Sequence, residues 1–180
     1  MNRTQTVVCV TFLVCLVFRP ATLLAQNADW QLHNLDLAGS RFSELDQITP
    51  ENVDRLTPRW LFQHGVIDGV SNQTTPVIVD GVMYVTDSRG SVYAVDAADG
   101  HLLWTYDVTD LLGGGRREGY IFRHRGVTYS NGIVYSAAGS FVFALDAKTG
   151  EPLESFGDNG QASVILDVLR VRYPDVETAI

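Results

Sequence analysis

Cysteine is almost absent from this 180-residue chain: its two cysteines, Cys9 and Cys15, both stand near the amino terminus. If that opening segment is removed after synthesis, the remaining chain can form neither a disulfide nor a cysteine metal site. The four histidines show no spacing typical of metal ligands, and we expect surface or loop positions for them: His33, His64, His101 and His124. The sequence therefore predicts no metal site of its own.

The chain also lacks an apolar run long enough to cross a membrane. The apolar stretch of residues 7–18 is shorter than the ~20 residues that a spanning helix needs. Arg3 precedes this stretch and Ala25 follows it, which is the pattern of a secretory signal peptide. We therefore predict a signal peptide over residues 1–25, no membrane span after cleavage, and a periplasmic or secreted product.

Two features leave details of this segment open. Leu23 is a poor residue at the third position before the cut, so the exact cleavage site is not fixed. Cys15 could instead carry a lipid anchor, but the residues just before it, Leu13 and Val14, are not the small residue expected there. Cleavage is the favoured interpretation.

Positive charge and helical periodicity are both scarce. Thirteen Lys and Arg residues face 21 Asp and Glu residues, for a net charge of −8, which argues against a nucleic-acid partner. Helical periodicity is limited to residues 49–56, where Thr49 and Pro50 resemble a helix start and Val53 and Leu56 would form the buried side. The fold class predicted for the rest is all-β.

What the chain does contain is a unit of four short strands in residues 75–107. Asp80 and Gly81 separate the first two β-rich runs, and this dipeptide favours a two-residue type I′ hairpin. Asp96 opens a later turn that Gly100 closes, since a short carboxylate and a glycine suit those positions. These turns predict one four-stranded antiparallel sheet.

The same unit returns in residues 126–157. Asn131 and Gly132 occupy the place of the first hairpin turn, and Asp146 and Gly150 occupy the place of the later one. Four short strands that recur at a period near fifty residues are typical of a β-propeller blade. Two unrelated hairpin pairs in a sandwich are the alternative, which would need every turn to match by accident.

An amino-terminal pattern then identifies a family. Trp30 is followed by Arg41-Phe42-Ser43, then by Asn52-Val53, and finally by Trp60. This order and spacing resemble the amino-terminal signature of pyrroloquinoline-quinone (PQQ) dependent dehydrogenases, periplasmic quinoproteins that oxidise alcohols or aldoses. The resemblance implies that residues 26–180 form part of an eight-bladed propeller, with the repeats about 75–107 and 126–157 as its blades.

The blades carry the same resemblance. In the family, a tryptophan-docking motif stacks an indole between neighbouring blades. The residues that match it here are Ala94, Asp96, Gly100 and Trp104 in the first repeat and Ala144, Asp146 and Gly150 in the second. Glu154 stands at the tryptophan position of the second repeat, which leaves its docking contact in doubt.

The resemblance implies two cofactor-binding positions. Gln73 stands where the family has a glutamate that contacts the quinone, and Arg125 matches an arginine beside the reactive carbonyl. A guanidinium there would stabilise negative charge that develops on the quinone oxygen. Gly119 and Tyr120 replace the adjacent cysteines of many alcohol-oxidising members, which is more like the glucose-type branch. A solvated basic loop around Arg125 and an ordinary polar loop residue at Gln73 are the alternatives.

The implied cofactors are PQQ and calcium, with an alcohol or aldose as substrate. In the family, the calcium ligands and catalytic base lie in later blades, so no catalytic residue is assigned here. After Gly160 the sequence resembles no further blade. This fits a truncated product, which we expect to be inactive alone, or a chain that depends on a second chain for the missing blades. A non-enzymatic propeller scaffold of the outer-membrane assembly lipoprotein type is the alternative function.

The first prediction concerns export. Expression of the full chain should yield a periplasmic or secreted product trimmed near Ala25, free of cysteine, because the apolar stretch is followed by a cleavable small residue. Intact-mass spectrometry of the exported protein measures this directly. Retention of Met1, or a lipid mass on Cys15, would contradict it.

Overall fold

The structure is a computed structural model that describes residues 29–66, 72–109 and 124–173. Its strands are β1 (Val77–Val79), β2 (Val82–Thr86), β3 (Val92–Asp96), β4 (Leu102–Tyr106), β5 (Thr128–Ser130), β6 (Ile133–Ala138), β7 (Phe141–Asp146) and β8 (Gln161–Ser163). A 3-10 helix covers Val53–Arg55, and helix α1 covers Val164–Arg172.

The strands form two four-stranded antiparallel sheets in sequence order, β1–β4 and β5–β8. We call them the first blade and the second blade. Val79 pairs with Val82, and Ser130 pairs with Ile133, so each blade begins with a two-residue hairpin loop. Those loops have positive φ at both positions, as type I′ turns require: Asp80 49°, Gly81 78°, Asn131 50° and Gly132 80°. The predicted all-β propeller architecture is confirmed.

By the repeat, residues 151–156 are expected to form the outer strand of the second blade, but the structure places β8 later in the chain, at Gln161–Ser163. Pairing begins within residues 151–156, since Leu153 N donates to Ala144 O at 2.9 Å. The chain then turns away and resumes the strand at β8, where Gln161 pairs with Phe143. The cause is a run of left-handed residues that cannot continue an extended strand: Gly157 (φ 59°), Asn159 (φ 50°) and Gly160 (φ 89°).

The segment after Gly160 supplies β8, the outer strand of the second blade, and helix α1. Helix was expected only at residues 49–56, and that expectation is wrong. Residues 49–56 form only a three-residue 3-10 helix, and the side chains expected to be its buried face, Val53 and Leu56, are 49% and 59% exposed. No sheet face of the described chain covers these two side chains, so their apolar spacing does not correspond to a surface that the described residues bury.

Alternation along the strands gives each blade two faces. On the first blade, Val77, Tyr84, Ala94 and Trp104 are cross-strand neighbours and share one face. That face packs on the face of the second blade that carries Phe143. Tyr106 meets Phe143 there, with ring centroids 5.0 Å apart. The buried core residues on both sides belong to one continuous cluster, so the two blades share a single core.

The contact between blades centres on one carbonyl. Trp104 Nε1 donates to Ala147 O at 3.0 Å, and the Tyr84 hydroxyl donates to the same oxygen at 3.1 Å. Burial raises the pKa of Tyr84 to about 12, which keeps this donor protonated. The indole lies so close to Gly150 that a Cβ there would meet Trp104 Cε3 at 2.5 Å. Glycine is therefore needed at that position for the blades to approach.

The amino-terminal segment repeats this contact on the other side of the first blade. Trp60 Nε1 donates to Ala97 O at 3.1 Å, and a Cβ on Gly100 would meet Trp60 Cε3 at 2.6 Å. Trp60 therefore docks on the first blade as Trp104 docks on the second. Sequence reasoning assigned Trp60 only to the amino-terminal signature; the signal that it missed is a tryptophan in the extended run just before the first blade.

The start of the described chain covers the inner edges of both blades. Trp30 N donates to Ile78 O at 2.6 Å, and Ile78 N donates back to Trp30 O at 2.9 Å. One residue later, Gln31 O accepts a hydrogen bond from Tyr129 N at 3.5 Å. Because an uncovered strand edge invites pairing with other chains, this segment protects the inner strands β1 and β5.

The second prediction tests the docking contact. Gly150→Ala should destabilise the fold by about 1–3 kcal/mol more than Gly132→Ala, because only the first change drives a methyl group into the indole. Gly132 is the matched control: its φ of 80° is close to the 75° of Gly150, and nothing lies within 4 Å of its added Cβ. Urea unfolding followed by tryptophan fluorescence gives both values. Equal losses would show that the indole contact is not formed.

Candidate cofactor-binding end of the blades

The strand directions divide the blades into two ends. The inner strands β1 and β5 start at one end, and the loop between β2 and β3 lies at the same end, since β2 runs back antiparallel to β1. We call this the site end. The hairpin turns and the docking turns that begin at Asp96 and Asp146 lie at the opposite end, the turn end.

The structure brings the two predicted cofactor-binding residues to the site end. Thr75 and Gly126 form a parallel bridge between the blades, in which Thr75 N donates to Arg125 O at 3.0 Å. Gln73 stands two positions before this bridge, and Arg125 stands one position before it. The pair that sequence reasoning selected from two separate repeats therefore shares one neighbourhood.

Gly126 allows the starts of β1 and β5 to come close together at this bridge. Its φ is 111°, and a Cβ there would lie 2.5 Å from Thr75 O, well inside contact distance. Any other residue would push the start of β5 away from the start of β1. A glycine next to Arg125 is therefore a requirement of the backbone geometry.

A threonine pair holds the loop that carries Gln73. The Thr86 hydroxyl donates to Thr74 Oγ1 at 3.0 Å, while Asn72 Nδ2 donates to Thr86 O at 3.1 Å. Thr86 is fully buried, so these bonds are shielded from water. The main chain on both sides of Gln73 is thus fixed to the end of β2.

The two candidate side chains remain available for a ligand. Gln73 is half-buried and Arg125 is exposed, and neither makes a hydrogen bond or ion pair through its side chain with the described residues. A guanidinium presents donors in a planar fork that matches carboxylate oxygens, and an amide can both donate and accept. An anionic ligand with carboxylate or quinone oxygens suits this pair.

His124 packs beside Arg125. Its imidazole lies against Gly90, whose added Cβ would meet His124 Cε1 at 2.6 Å. Burial lowers the pKa of His124, although the nearby Asp87 carboxylate acts in the opposite direction. The ring is therefore neutral at pH 7. Of these two neighbouring residues, only Arg125 carries a positive charge.

A polar cleft of about 350 Å³ also opens at the site end. Asp87 forms its buried wall: Oδ1 accepts from three backbone amides, and Oδ2 accepts from the Tyr93 hydroxyl at 3.1 Å. Burial, with the Asp87 charge, raises the pKa of Tyr93. Because the Asp87 carboxylate accepts all of these internal hydrogen bonds, it holds the loop between β2 and β3 in place.

Gly119 and Tyr120, which replace the adjacent cysteines of many family members, lie outside the described residues.

One group of possible metal ligands exists among the described residues, and it is at the turn end. Ligand atoms of Asp96, Asp99 and His101 lie within 4.8 Å of one another on the surface. His101 Nδ1 and Asp99 Oδ1 are 2.6 Å apart, and this contact raises the pKa of His101. Sequence reasoning saw no metal spacing at His101. Gln73 and Arg125 are at the other end of the blades, so this group cannot hold a metal beside them.

The described helices are too short to span a bilayer.

Known proteins place the chain in a family. Residues 30–177 match the PQQ family described as "Glucose/ethanol/alcohol dehydrogenase, beta-propeller domain". A 1-butanol dehydrogenase (cytochrome c) of Thauera butanivorans is 40% identical over 141 residues, which are 77% of this chain and 20% of that protein. The quinohemoprotein alcohol dehydrogenase of Comamonas testosteroni is 38% identical over 128 residues, 71% of this chain and 18% of that protein.

The solved structures agree with this match. The crystal structure of the Comamonas testosteroni enzyme superposes with a TM-score of 0.61 at 38% identity, covering 70% of this chain and 19% of that one. This chain spans about a fifth of the length of the relatives that it matches. It belongs to the PQQ-dependent dehydrogenase family, with two blades of the glucose/ethanol/alcohol dehydrogenase β-propeller.

Proposed function

We propose that this chain supplies the first blades and part of the cofactor site of a periplasmic PQQ-dependent alcohol dehydrogenase, and that it has no turnover alone. The observation that supports this most is the Thr75 and Gly126 bridge, which brings Gln73 and Arg125 together at the site end. The export signal over residues 1–25 and the docking roles of Ala94, Asp96, Gly100, Trp104, Ala144, Asp146 and Gly150 are part of the same proposal.

Arg125 would bind and orient the cofactor. PQQ is an anionic ortho-quinone with several carboxylates, and when bound it supplies the hydride acceptor for alcohol oxidation. The exposed guanidinium fits that charge and could donate two parallel hydrogen bonds. Where negative charge grows on a quinone oxygen, a fixed guanidinium stabilises it without reorganisation. Those are the tasks that this chain's own cation can perform.

Gln73 would add a neutral contact on the neighbouring strand. Its amide can donate to a quinone or carboxylate oxygen, which a glutamate at this position cannot do when ionised. Beside Arg125 it leaves the positive charge uncompensated. We therefore expect the pair to favour an anionic ligand more strongly than a glutamate and arginine pair would.

The rest of the site must come from elsewhere. Calcium is the metal that we propose, and the described residues near Gln73 and Arg125 include no ligand set for it. The catalytic base is likewise assigned to later blades, so the chain alone cannot position substrate and acceptor at reacting distance. A second chain is the proposed source. The names of the matched relatives favour an alcohol over an aldose as the substrate, and they do not favour a non-enzymatic scaffold.

The third prediction tests activity and binding together. The purified chain with PQQ, calcium and a panel of alcohols and aldoses should reduce no dye, since the base and metal ligands are missing. Fluorescence titration should still detect weak PQQ binding, which Arg125→Ala should weaken about 10- to 100-fold, because a hydrogen bond to a charged group is worth about 1.5–3 kcal/mol.

Arg170→Ala is the matched control, because it removes an exposed arginine from helix α1. It should leave PQQ affinity unchanged. Substrate-dependent dye reduction by the chain alone would refute the claim of incompleteness, whereas equal affinity in the Arg125 and Arg170 variants would remove the site assignment.

A further inference from the structure

The hairpin turn between β5 and β6 carries an asparagine side chain that the fold does not hold in place. Asn131 is exposed, and its side-chain amide makes no hydrogen bond with the described residues. Every other asparagine that the structure describes has a hydrogen-bonded side chain: Asn34, Asn52, Asn72 and Asn159. Asn131 is therefore the one described asparagine whose amide group is not fixed by an internal bond.

The peptide unit between Asn131 and Gly132 is also free to rotate. Neither Asn131 O nor Gly132 N makes a hydrogen bond with the described residues. A Cβ built on Gly132 would have nothing within 4 Å, so no neighbouring side chain resists a rotation of the main chain there. Glycine has no Cβ of its own to block that rotation. Gly132 N can therefore approach the side-chain carbon Asn131 Cγ.

The other Asn-Gly pair of the described chain is held firmly. Asn159 Nδ2 donates to Asp158 Oδ1 at 2.9 Å. Gly160 N donates to Phe156 O, also at 2.9 Å. Gly160 is buried, and a Cβ there would lie 2.5 Å from Pro152 Cβ. The same dipeptide is thus fixed by hydrogen bonds and packing at this position, which makes it a comparison site inside the same molecule.

We propose that Asn131 is a site of spontaneous deamidation, with water as the co-reactant. Gly132 N forms a bond to Asn131 Cγ, the bond from Cγ to Nδ2 breaks, and ammonia leaves with the proton of the Gly132 amide. The product is a succinimide ring that contains the Gly132 nitrogen. Water then opens the ring at either carbonyl carbon. No oxidant or reductant takes part, and the proposal does not depend on the proposed function.

The two ways of opening the ring give different products. Cleavage between Cγ and the Gly132 nitrogen gives aspartate at position 131, with the ordinary main chain. Cleavage between the main-chain carbonyl carbon and that nitrogen gives isoaspartate, in which the main chain runs through Cβ and Cγ. The isoaspartate product therefore has an extra carbon atom in the main chain of the hairpin turn.

The aspartate product fits the hairpin turn. Asp80 and Gly81 form the same turn in the first blade, with φ of 49° and 78°. The values at Asn131 and Gly132 are 50° and 80°. Aspartate and asparagine both tolerate the left-handed region. A carboxylate in place of the amide should therefore leave the second blade intact.

The isoaspartate product does not fit, and its effect reaches the contact between the blades. Its extra carbon atom comes just before Gly132, whose O accepts from Ala147 N at 2.9 Å. Ala147 O is in turn the acceptor of Trp104 Nε1 at 3.0 Å and of the Tyr84 hydroxyl at 3.1 Å. A shift of Gly132 therefore moves the residue on which the first blade docks. We expect isoaspartate at position 131 to loosen that contact.

The site is tested on the full chain, incubated at mildly alkaline pH and followed by peptide mapping with mass spectrometry. In the folded chain, Asn131 should deamidate at least about tenfold faster than Asn159, which corresponds to about 1.4 kcal/mol less activation free energy. In guanidinium chloride the two rates should become similar, because a glycine follows each asparagine. The denatured sample shows that the difference between the two sites comes from the fold.

The effect on the blade contact is tested on the incubated chain. A protein isoaspartyl methyltransferase measures the isoaspartate, and NMR measures hydrogen exchange at the indoles. The Trp104 indole proton should exchange faster as isoaspartate forms, because its bond to Ala147 O is loosened. The Trp60 indole proton should keep its rate, because it binds Ala97 O. Freshly prepared Asn131→Asp is the matched control and should show wild-type exchange at both indoles.

Each part of the proposal has a result that would overturn it. Equal deamidation rates at Asn131 and Asn159 in the folded chain would show that the hairpin turn is not a reactive site. Isoaspartate at position 131 with unchanged exchange at the Trp104 indole would refute the link through Gly132 to the blade contact. Faster Trp104 exchange in fresh Asn131→Asp would show that the added charge, and not the longer main chain, loosens the contact.

Discussion

The packing of the two blades depends on one kind of contact, the close approach of an indole ring to a glycine. Trp104 lies over Gly150 and binds the carbonyl of Ala147, and Trp60 makes the same contact with Gly100 and Ala97. Each contact combines a half-buried indole ring with one directed hydrogen bond, so it fixes both the distance and the orientation of the elements that it joins. The relative position of the two inner strands follows from that orientation.

The site end is a consequence of this packing. With the blades fixed at the turn end, β1 and β5 start side by side, and Gly126 lets Thr75 bind Arg125 O. The pair that we propose for cofactor binding, Gln73 and Arg125, is therefore brought together by two different blades, and neither blade alone would form it. In a propeller, the blades are arranged around a central channel, so groups that meet in the channel come from several blades.

Local turn chemistry is what made the sequence informative. Asp80-Gly81 and Asn131-Gly132 specify type I′ hairpins by themselves, and the aspartates at 96 and 146 bind the amides of their own turns. Recurrence of those turns was enough to predict two four-stranded antiparallel blades. The family resemblance then selected Gln73 and Arg125, whose proximity depends on a bridge between the blades.

The features that the sequence did not predict share one cause: each depends on contacts between residues that are distant in the chain. The docking of Trp60 requires the turn at Gly100, which lies 40 residues later in the chain. The split outer strand depends on left-handed residues at Gly157 and Asn159, and on β7 accepting a strand that returns after seven intervening residues, 154–160. Val53 and Leu56 have helical apolar spacing, yet the described chain offers no surface to bury them.

The most direct test of the account is amide hydrogen exchange at Thr75, measured by NMR on the full chain. The account predicts that the Thr75 amide exchanges slowly because it donates to Arg125 O across the blade boundary. It also predicts that Gly126→Ala removes this protection while the amide of Trp104, inside the first blade, stays protected. Fast exchange at Thr75 in the wild-type chain, with the blade amides protected, would contradict the claim that the two blades bring Gln73 and Arg125 together.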